Sequence, residues 1–209
     1  MTDFFDKHYQ EYDEWYDRNR YAYLSELEAV KKGLPKKGYG LEVGVGSGRF
    51  AGPLGVDVGI DPSKKMVELA RGRGVDARLG SGEEPSFKDS TFDYVAIIVT
   101  LCFVLDPEKV IAESARVLKP GGKIIIGIID KESFLGKFYR KKGSIFYGHA
   151  RFFDIEEVVQ MLKTAEFSKF SYYQTIFHHP DKLNTIEKPL KGFGKGGFVV
   201  IGGEKRSTP

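Results

Sequence analysis

A single cysteine, Cys102, is the entire thiol content of the 209 residues. That excludes an internal disulfide framework and fits a reducing compartment, the cytoplasm. With one cysteine and four histidines the chain has no C-x-x-C or H-x-x-x-H spacing, so no metal site is expected. No apolar run approaches the roughly 20 residues of a membrane helix, and no membrane partner is expected. The opening MTDFFDKHYQEYDEWYDRNR is polar and aromatic, not a basic stretch followed by an apolar one, so no signal peptide is expected. Repeats and low-complexity tracts are absent. The charge excess is small, 32 basic against 29 acidic residues for a net +3, which does not by itself imply nucleic acid. The basic run KFYRKKG, residues 137–143, reads first as a solvated loop and second as a patch for an acidic partner.

What is present is an ordinary globular composition, 41% hydrophobic and 29% charged, so residues 1–209 read as a single domain. Tyr12, Tyr16, Tyr23, Leu24, Leu27 and Val30 recur near a 3.6 period, which predicts an N-terminal helix ending near Gly33, with Pro35 beyond. Buried strands are expected at residues 39–45, 56–60, 76–79, 92–99 and 123–129. Asp61-Pro62-Ser63, Asp106 with Pro107, and Asp154 with Glu157 read as helix starts between and after them. Two late strands, 169–177 and 197–202, are expected to run antiparallel as a hairpin. Alternating strands and helices predict a mostly parallel α/β sheet covered on both faces.

The stretch GYGLEVGVGSGRFAGPLGVDVGIDPS places Gly44, Gly46 and Gly48 where the first strand ends and Asp61 where the second ends. Such glycines permit a tight turn and let a ligand approach bare backbone, next to the N–H groups of a following helix start. An acid at the neighbouring strand end is placed to accept from a ribose diol. Together they describe a site for a nucleoside-bearing small molecule at the carboxyl edge of the sheet. The dinucleotide fingerprint G-x-G-x-x-G needs a glycine at position 49, where this chain has Arg49, and the G-K-[ST] of a P-loop is absent.

LEVGVGSGRF resembles the first motif, E-x-G-x-G-x-G, of class I S-adenosylmethionine (SAM)-dependent methyltransferases. GIDPSKKMVELAR, GSGEEPSFKDSTFDYVAII and RVLKPGGKIIIG resemble their later motifs in family order, and the flanking segments resemble the small-molecule branch. The resemblance implies a Rossmann-like three-layer sandwich: a mostly parallel seven-stranded sheet with a C-terminal antiparallel hairpin. It implies SAM as cofactor, with S-adenosylhomocysteine (SAH) as product. Gly44, Gly46 and Gly48 would line its methionine and ribose part, with Glu42 behind the loop near the ammonium. Asp61 would hold the ribose hydroxyls, and Met66 would pack on the adenine. Ser81 stands where the family often has an acid that accepts from the adenine amine, so its hydroxyl, Gly82 backbone or Glu83 would serve instead. Thr100 and Leu101 would face the methyl donor. The segment between Gly48 and Asp61 is shorter than usual, so its helix is expected to be cut to about two turns.

The resemblance also implies a helical lid, residues 1–36, over an α/β core, 37–209, with Tyr12 and Tyr16 closing on the cofactor. Packing of these aromatics onto the sheet is the competing reading. Asp13, Glu14, Asp17 and Arg18 interrupt the helix's apolar face and predict a mobile segment. In-line transfer needs positioning more than a protein nucleophile, and His149 is the candidate base if the acceptor must lose a proton. VTLCFVL after the fourth strand lacks the Asn/Asp-Pro-Pro-aromatic motif of adenine-N6 and glutamine methyltransferases, which favours a small-molecule acceptor and makes nucleic acid an unexpected partner. A nucleotide (NAD)-dependent oxidoreductase on a similar sheet, an RNA-modifying methyltransferase and a SAM-binding regulator stay open as alternatives.

Overall fold

The computed structural model describes residues 2–143 and 145–207; the expected lid's first residue, Met1, lies outside them. Five strands, β1 (Gly40–Val43), β2 (Val58–Asp61), β3 (Asp76–Leu79), β4 (Phe92–Ile98) and β5 (Leu118–Ile129), pair in parallel. Beyond β5 come β6 (Phe167–Thr175), the two-residue β7 (Leu190–Lys191) and β8 (Phe198–Lys205), all paired antiparallel. The order across the sheet is β3-β2-β1-β4-β5-β8-β6-β7. The seven expected strands are present and the late pair is antiparallel. The eighth strand, β7, is an exposed pair of residues, too short to carry a period in the sequence.

Among the described residues seven α-helices accompany the strands: α1 (Thr2–Arg18), α2 (Arg20–Gly33), α3 (Ala51–Leu54), α4 (Lys64–Gly72), α5 (Pro107–Val117), α6 (Phe134–Lys142) and α7 (Ile155–Thr164). Alternate residues of β5 enter two different cores: Ile124, Ile126 and Ile128 in one, Ile125 and Ile129 in the other. The first core is closed by Val110 and Ile111 of α5 and Val158 and Leu162 of α7; the second by Ala29 and Val30 of α2 and Val67 and Ala70 of α4. This double coverage explains the uninterrupted apolar runs of β4 and β5.

The helix that Asp61-Pro62-Ser63 opens is capped by Ser63, and the two other expected starts are capped as well. Ser63 Oγ accepts from Met66 N (3.2 Å) and Asp106 Oδ1 from Lys109 N (2.9 Å), with Pro107 as first helical residue. Asp154 and Glu157 make both halves of a capping box. Four local expectations change. The N-terminal helix is two helices, kinked at His8 and broken at Asn19, whose side-chain amide donates to Trp15 O (3.0 Å) in competition with the backbone ladder. Helix α2 belongs to the core, so of residues 1–36 only α1 lies over the site. Helix α3 is a single turn, stopped by Gly55 at φ +68°. The basic run is not a loop: Arg140, Lys141 and Lys142 form the last turn of α6, where cations favour the helix dipole. Among the described residues no helix is long and apolar enough to cross a membrane.

Strand order reverses between β1 and β4, and a ligand crevice opens at the carboxyl ends of strands at such a switch. Gly44 and Asp61 lie there.

Candidate active site

A cavity of about 230 Å³ opens at this switch point. Its floor is Gly44 and Gly46 of the glycine turn. Gly44, Gly46 and Gly48 all take positive φ (+69°, +51° and +80°). A Cβ on Gly44 would lie 2.1 Å from Thr100 Cγ2, so this glycine is required by packing between the ends of β1 and β4. A Cβ on Gly46 would meet only Tyr12 Cε1, at 3.9 Å, which leaves that side of the turn to a ligand. Thr100 Oγ1 reaches Gly44 O (3.1 Å) and Ile98 O (3.0 Å) and fixes the opposite wall. The wall's other member, Val99, is a β-branched residue at φ +50°, a strained conformation at the mouth of the site.

Asp61 is 8% exposed and its two oxygens are held apart by two amides, Gly46 N to Oδ2 (2.9 Å) and Ser63 N to Oδ1 (2.8 Å). Each oxygen keeps a lone pair for a further donor. Burial pushes its pKa up to about 6 against the pull of these two amides. Glu42 does not line the cavity. It lies behind the turn, 1% exposed, with Oε2 lacking any hydrogen-bond partner. Burial first, and the Asp61 carboxylate second, hold its pKa well above the ordinary range.

The far end of the cavity carries Met66, Ser81, Gly82 and Glu83. Met66 is also fully buried, so it serves the core and the cavity at once. Ser81 donates its hydroxyl to Glu83 Oε2, and Leu105 N donates to Glu83 Oε1 (3.1 Å). Partial burial raises the Glu83 pKa, but these bonds and nearby amides outweigh it and hold it below the usual value. Glu83 thus stands as a fixed carboxylate at this end of the cavity.

Helix α1 roofs the cavity with Thr2, Phe5 and Tyr12. Its polar residues are clamps. Arg49 binds Asp13 (Nε–Oδ1 2.9 Å, Nη2–Oδ2 2.9 Å) and Asp17 (Nη1–Oδ1 2.8 Å, Nη2–Oδ2 2.7 Å). Asp13 also takes Ser47 Oγ (2.5 Å) and Arg73 Nη2 (2.7 Å), and Asp6 takes Ser63 Oγ (2.6 Å). Of the four polar interruptions, Asp13 and Asp17 fasten the segment to the glycine turn, whereas Glu14 and Arg18 form an exposed pair with each other. Arg49→Ala should remove about 1–3 kcal/mol of charge-assisted bonding. Amide exchange in residues 9–17 should then quicken by tenfold or more while β4 and β5 stay protected. Unchanged exchange would mean that aromatic packing alone holds α1.

Five expected residues lie elsewhere: Glu42 behind the turn, Gly48, where a Cβ would lie 3.0 Å from Ala70 Cα of α4, and Leu101, His149 and Tyr16. Leu101 is 1% exposed and packs into the core beneath α5, because the turn after Thr100 directs it inward. His149 is exposed on a short turn with its ring 5.3 Å from Phe4, and it does not line the cavity. Tyr16 is buried behind Tyr12, Oη to Oη 3.0 Å, and lines a second cavity instead. That second cavity, about 180 Å³, shares Tyr12, Val99 and Phe103 with the first and contains Glu26. Sequence reasoning missed Glu26, Arg49 as a clamp, Val99 and Phe103. Glu26 had a signal: it falls on the same helical face as the buried Ala22, Ala29 and Val30, where a carboxylate is out of place. Cys102 is no nucleophile, since burial pushes its thiol up to about 12.

The profile of a family described as methyltransferase domain matches residues 41–126, the stretch from β1 into β5. A protein of Methanocaldococcus jannaschii without assigned function is 49% identical over 203 residues, covering 96% of this chain and 98% of its own. A crystal structure from Thermotoga maritima, of a SAM-dependent methyltransferase named as a possible histamine N-methyltransferase, superposes with TM-score 0.96 at 47% identity, covering 99% of this chain and all of its own. Demethylmenaquinone methyltransferase of Tropheryma whipplei is 34% identical over 110 residues, 48% of this chain and 46% of its own.

Proposed function

The chain belongs to the SAM-dependent methyltransferase domain family and uses SAM, and on that premise we propose that it methylates a small-molecule acceptor held in the second cavity. The observation that carries this is the shared wall. Tyr12, Val99 and Phe103 border both cavities, so a donor in the first and an acceptor in the second meet there.

The residues present fit SAM. The free lone pairs of Asp61 are acceptors suited to a ribose diol, while Glu42, buried behind the turn and outside the cavity, supports the loop and does not touch the ligand. The open side of Gly46 admits the ligand against bare backbone. Met66 offers a soft apolar face for adenine, and Glu83 and the Gly82 backbone border it. When bound, SAM supplies an already activated methyl group. The chain's part is to hold the two partners in line and to keep water out. Tyr12 and Phe5 do the second, as α1 serves as the lid of this one-domain enzyme. The name of the Thermotoga maritima relative supports an amine among the acceptor classes.

SAM and SAH at 100 times Kd should each add about 2.7 kcal/mol of stability, and NAD none. That corresponds to about 5–10 °C in Tm for a chain of this size. A shift with NAD and none with SAH at millimolar concentration would overturn the donor assignment.

A further inference from the structure

The second cavity has an unusual lining. Tyr12, Trp15 and Tyr16 of α1, Tyr139 of α6, and Phe146 and Tyr147 surround the side chain of Glu26. Glu26 is 4% exposed. Among the described residues none donates a hydrogen bond to its carboxylate, and burial alone pushes its pKa up to about 8. The other ionisable groups lining the cavity are Glu11, Arg18 and Lys142 besides the tyrosines. Arg18 is turned to Glu14 (3.6 Å) and to Glu11 O (3.3 Å), and Lys142 Nζ lies 5.2 Å over the Phe138 ring. Neither cation neutralises Glu26.

A carboxylate among these rings is costly: their faces are themselves negative, and the Tyr12 and Tyr16 hydroxyls are bonded to each other (3.0 Å) rather than to Glu26. The same surroundings favour a compact cation that carries N–H groups: the faces attract its charge and the carboxylate takes its hydrogens. A neutral alcohol satisfies half of this, and an anion meets the negative ring faces and the Glu26 carboxyl. The volume, about 180 Å³, is that of roughly six waters at about 30 Å³ each, so the occupant is small.

We propose that the acceptor is a small primary or secondary amine, seated in this aromatic cavity with its nitrogen on Glu26, which recognises the ammonium and takes its proton. The assignment rests on the methyl-transfer reading above and names the acceptor's chemistry within it. An ammonium and a protonated carboxyl carry one proton more than the pair needs, so binding below pH 8 releases one proton to solvent. The remaining acidic proton is shared. When it sits on Glu26, the nitrogen lone pair is free. That pair forms the N–CH3 bond, and the C–S bond breaks with its electrons left on sulfur. The product is an N-methylammonium and SAH. Glu26 then gives its proton to water and pairs with the product cation. The net change from bound amine and SAM is one proton released.

The test uses the full chain saturated with SAH and three isosteres: 2-phenylethylamine, 2-phenylethanol and phenylacetate. Calorimetry at pH 7 in buffers of different ionisation enthalpy reads affinity and protons together. The amine should bind at least tenfold tighter than the other two and release close to one proton. With SAM in place of SAH, the amine should be N-methylated. Glu26→Gln should lose the preference and the proton release, and lower kcat/KM for the amine by 100-fold or more, while SAH affinity stays within twofold. Equal or tighter binding of the alcohol or acid, no binding of the amine at 10 mM, or an amine preference that survives in Glu26→Gln each overturns the proposal. Failure of SAH itself to bind is a different result and sinks the donor assignment instead.

Discussion

Asp61→Ala should bind SAH at least 30-fold more weakly than the parent chain, with its sheet intact. The substitution removes a carboxylate whose free lone pairs face the cavity, and bonds from two hydroxyls to a charged acceptor are together worth about 2 kcal/mol or more. It also frees Gly46 N and Ser63 N, so the glycine turn loses its anchor to β2. Asp61→Asn separates these effects, since an amide oxygen still accepts from one of the two amides. The pH dependence gives the sign. Asp61 has a raised pKa of about 6, and hydroxyl donors favour the charged form, so SAH affinity should be flat above pH 7. Below pH 6 it should fall up to tenfold per pH unit. Asp61→Asn should be flat across pH 5–7. Normal SAH affinity in Asp61→Ala would mean that the ribose lies elsewhere.

What the sequence made legible followed from local chemistry. The three glycines, Asp61 and the caps at Ser63, Asp106 and Asp154 each answer a backbone demand that the chain states within a few residues. The continuous apolar runs stated double coverage, and the sheet obeyed. The failures are long-range. Arg49 looked like a missing glycine; its partners Asp13 and Asp17 are more than 30 positions away, and nothing local announces the pair. Leu101 and Thr100 are neighbours in sequence, yet the turn after β4 sends one to the core and the other to the cavity. His149 stands out in the sequence by its type and its place just after the basic run, but its exposed turn keeps it from lining the cavity. Glu26 was passed over because it sits in a helix read for its apolar period. Its aromatic neighbours come from residues 12–16 and 139–147, which only the fold assembles.

The second large effect is on stability and runs opposite to function. Glu26→Gln should leave Tm nearly unchanged at pH 5 and raise it by about 6–20 °C at pH 9, without ligand. The folded pKa of Glu26 is about 8, far above an ordinary glutamate, so between roughly pH 4.5 and 8 the native state holds a proton that the unfolded chain has lost. Stability from this group therefore declines as pH rises through that window, and the full penalty stands above it. Its size is on the order of 3–5 kcal/mol. At about 2–4 °C per kcal/mol for a chain this long, the change in Tm follows. At pH 5 the residue is a neutral carboxyl of nearly the same shape and hydrogen-bonding need as an amide, so the substitution is close to neutral. Asp61 and Glu42 titrate in both proteins and cancel in the difference. Thermal scans of the pair from pH 5 to 9 measure it. A difference that does not grow with pH would show that Glu26 finds a donor when charged, and with it the case for an ammonium as that donor would fall. A rise in Tm beside the loss of amine methylation would instead mark a carboxylate kept for its ligand at the expense of the fold.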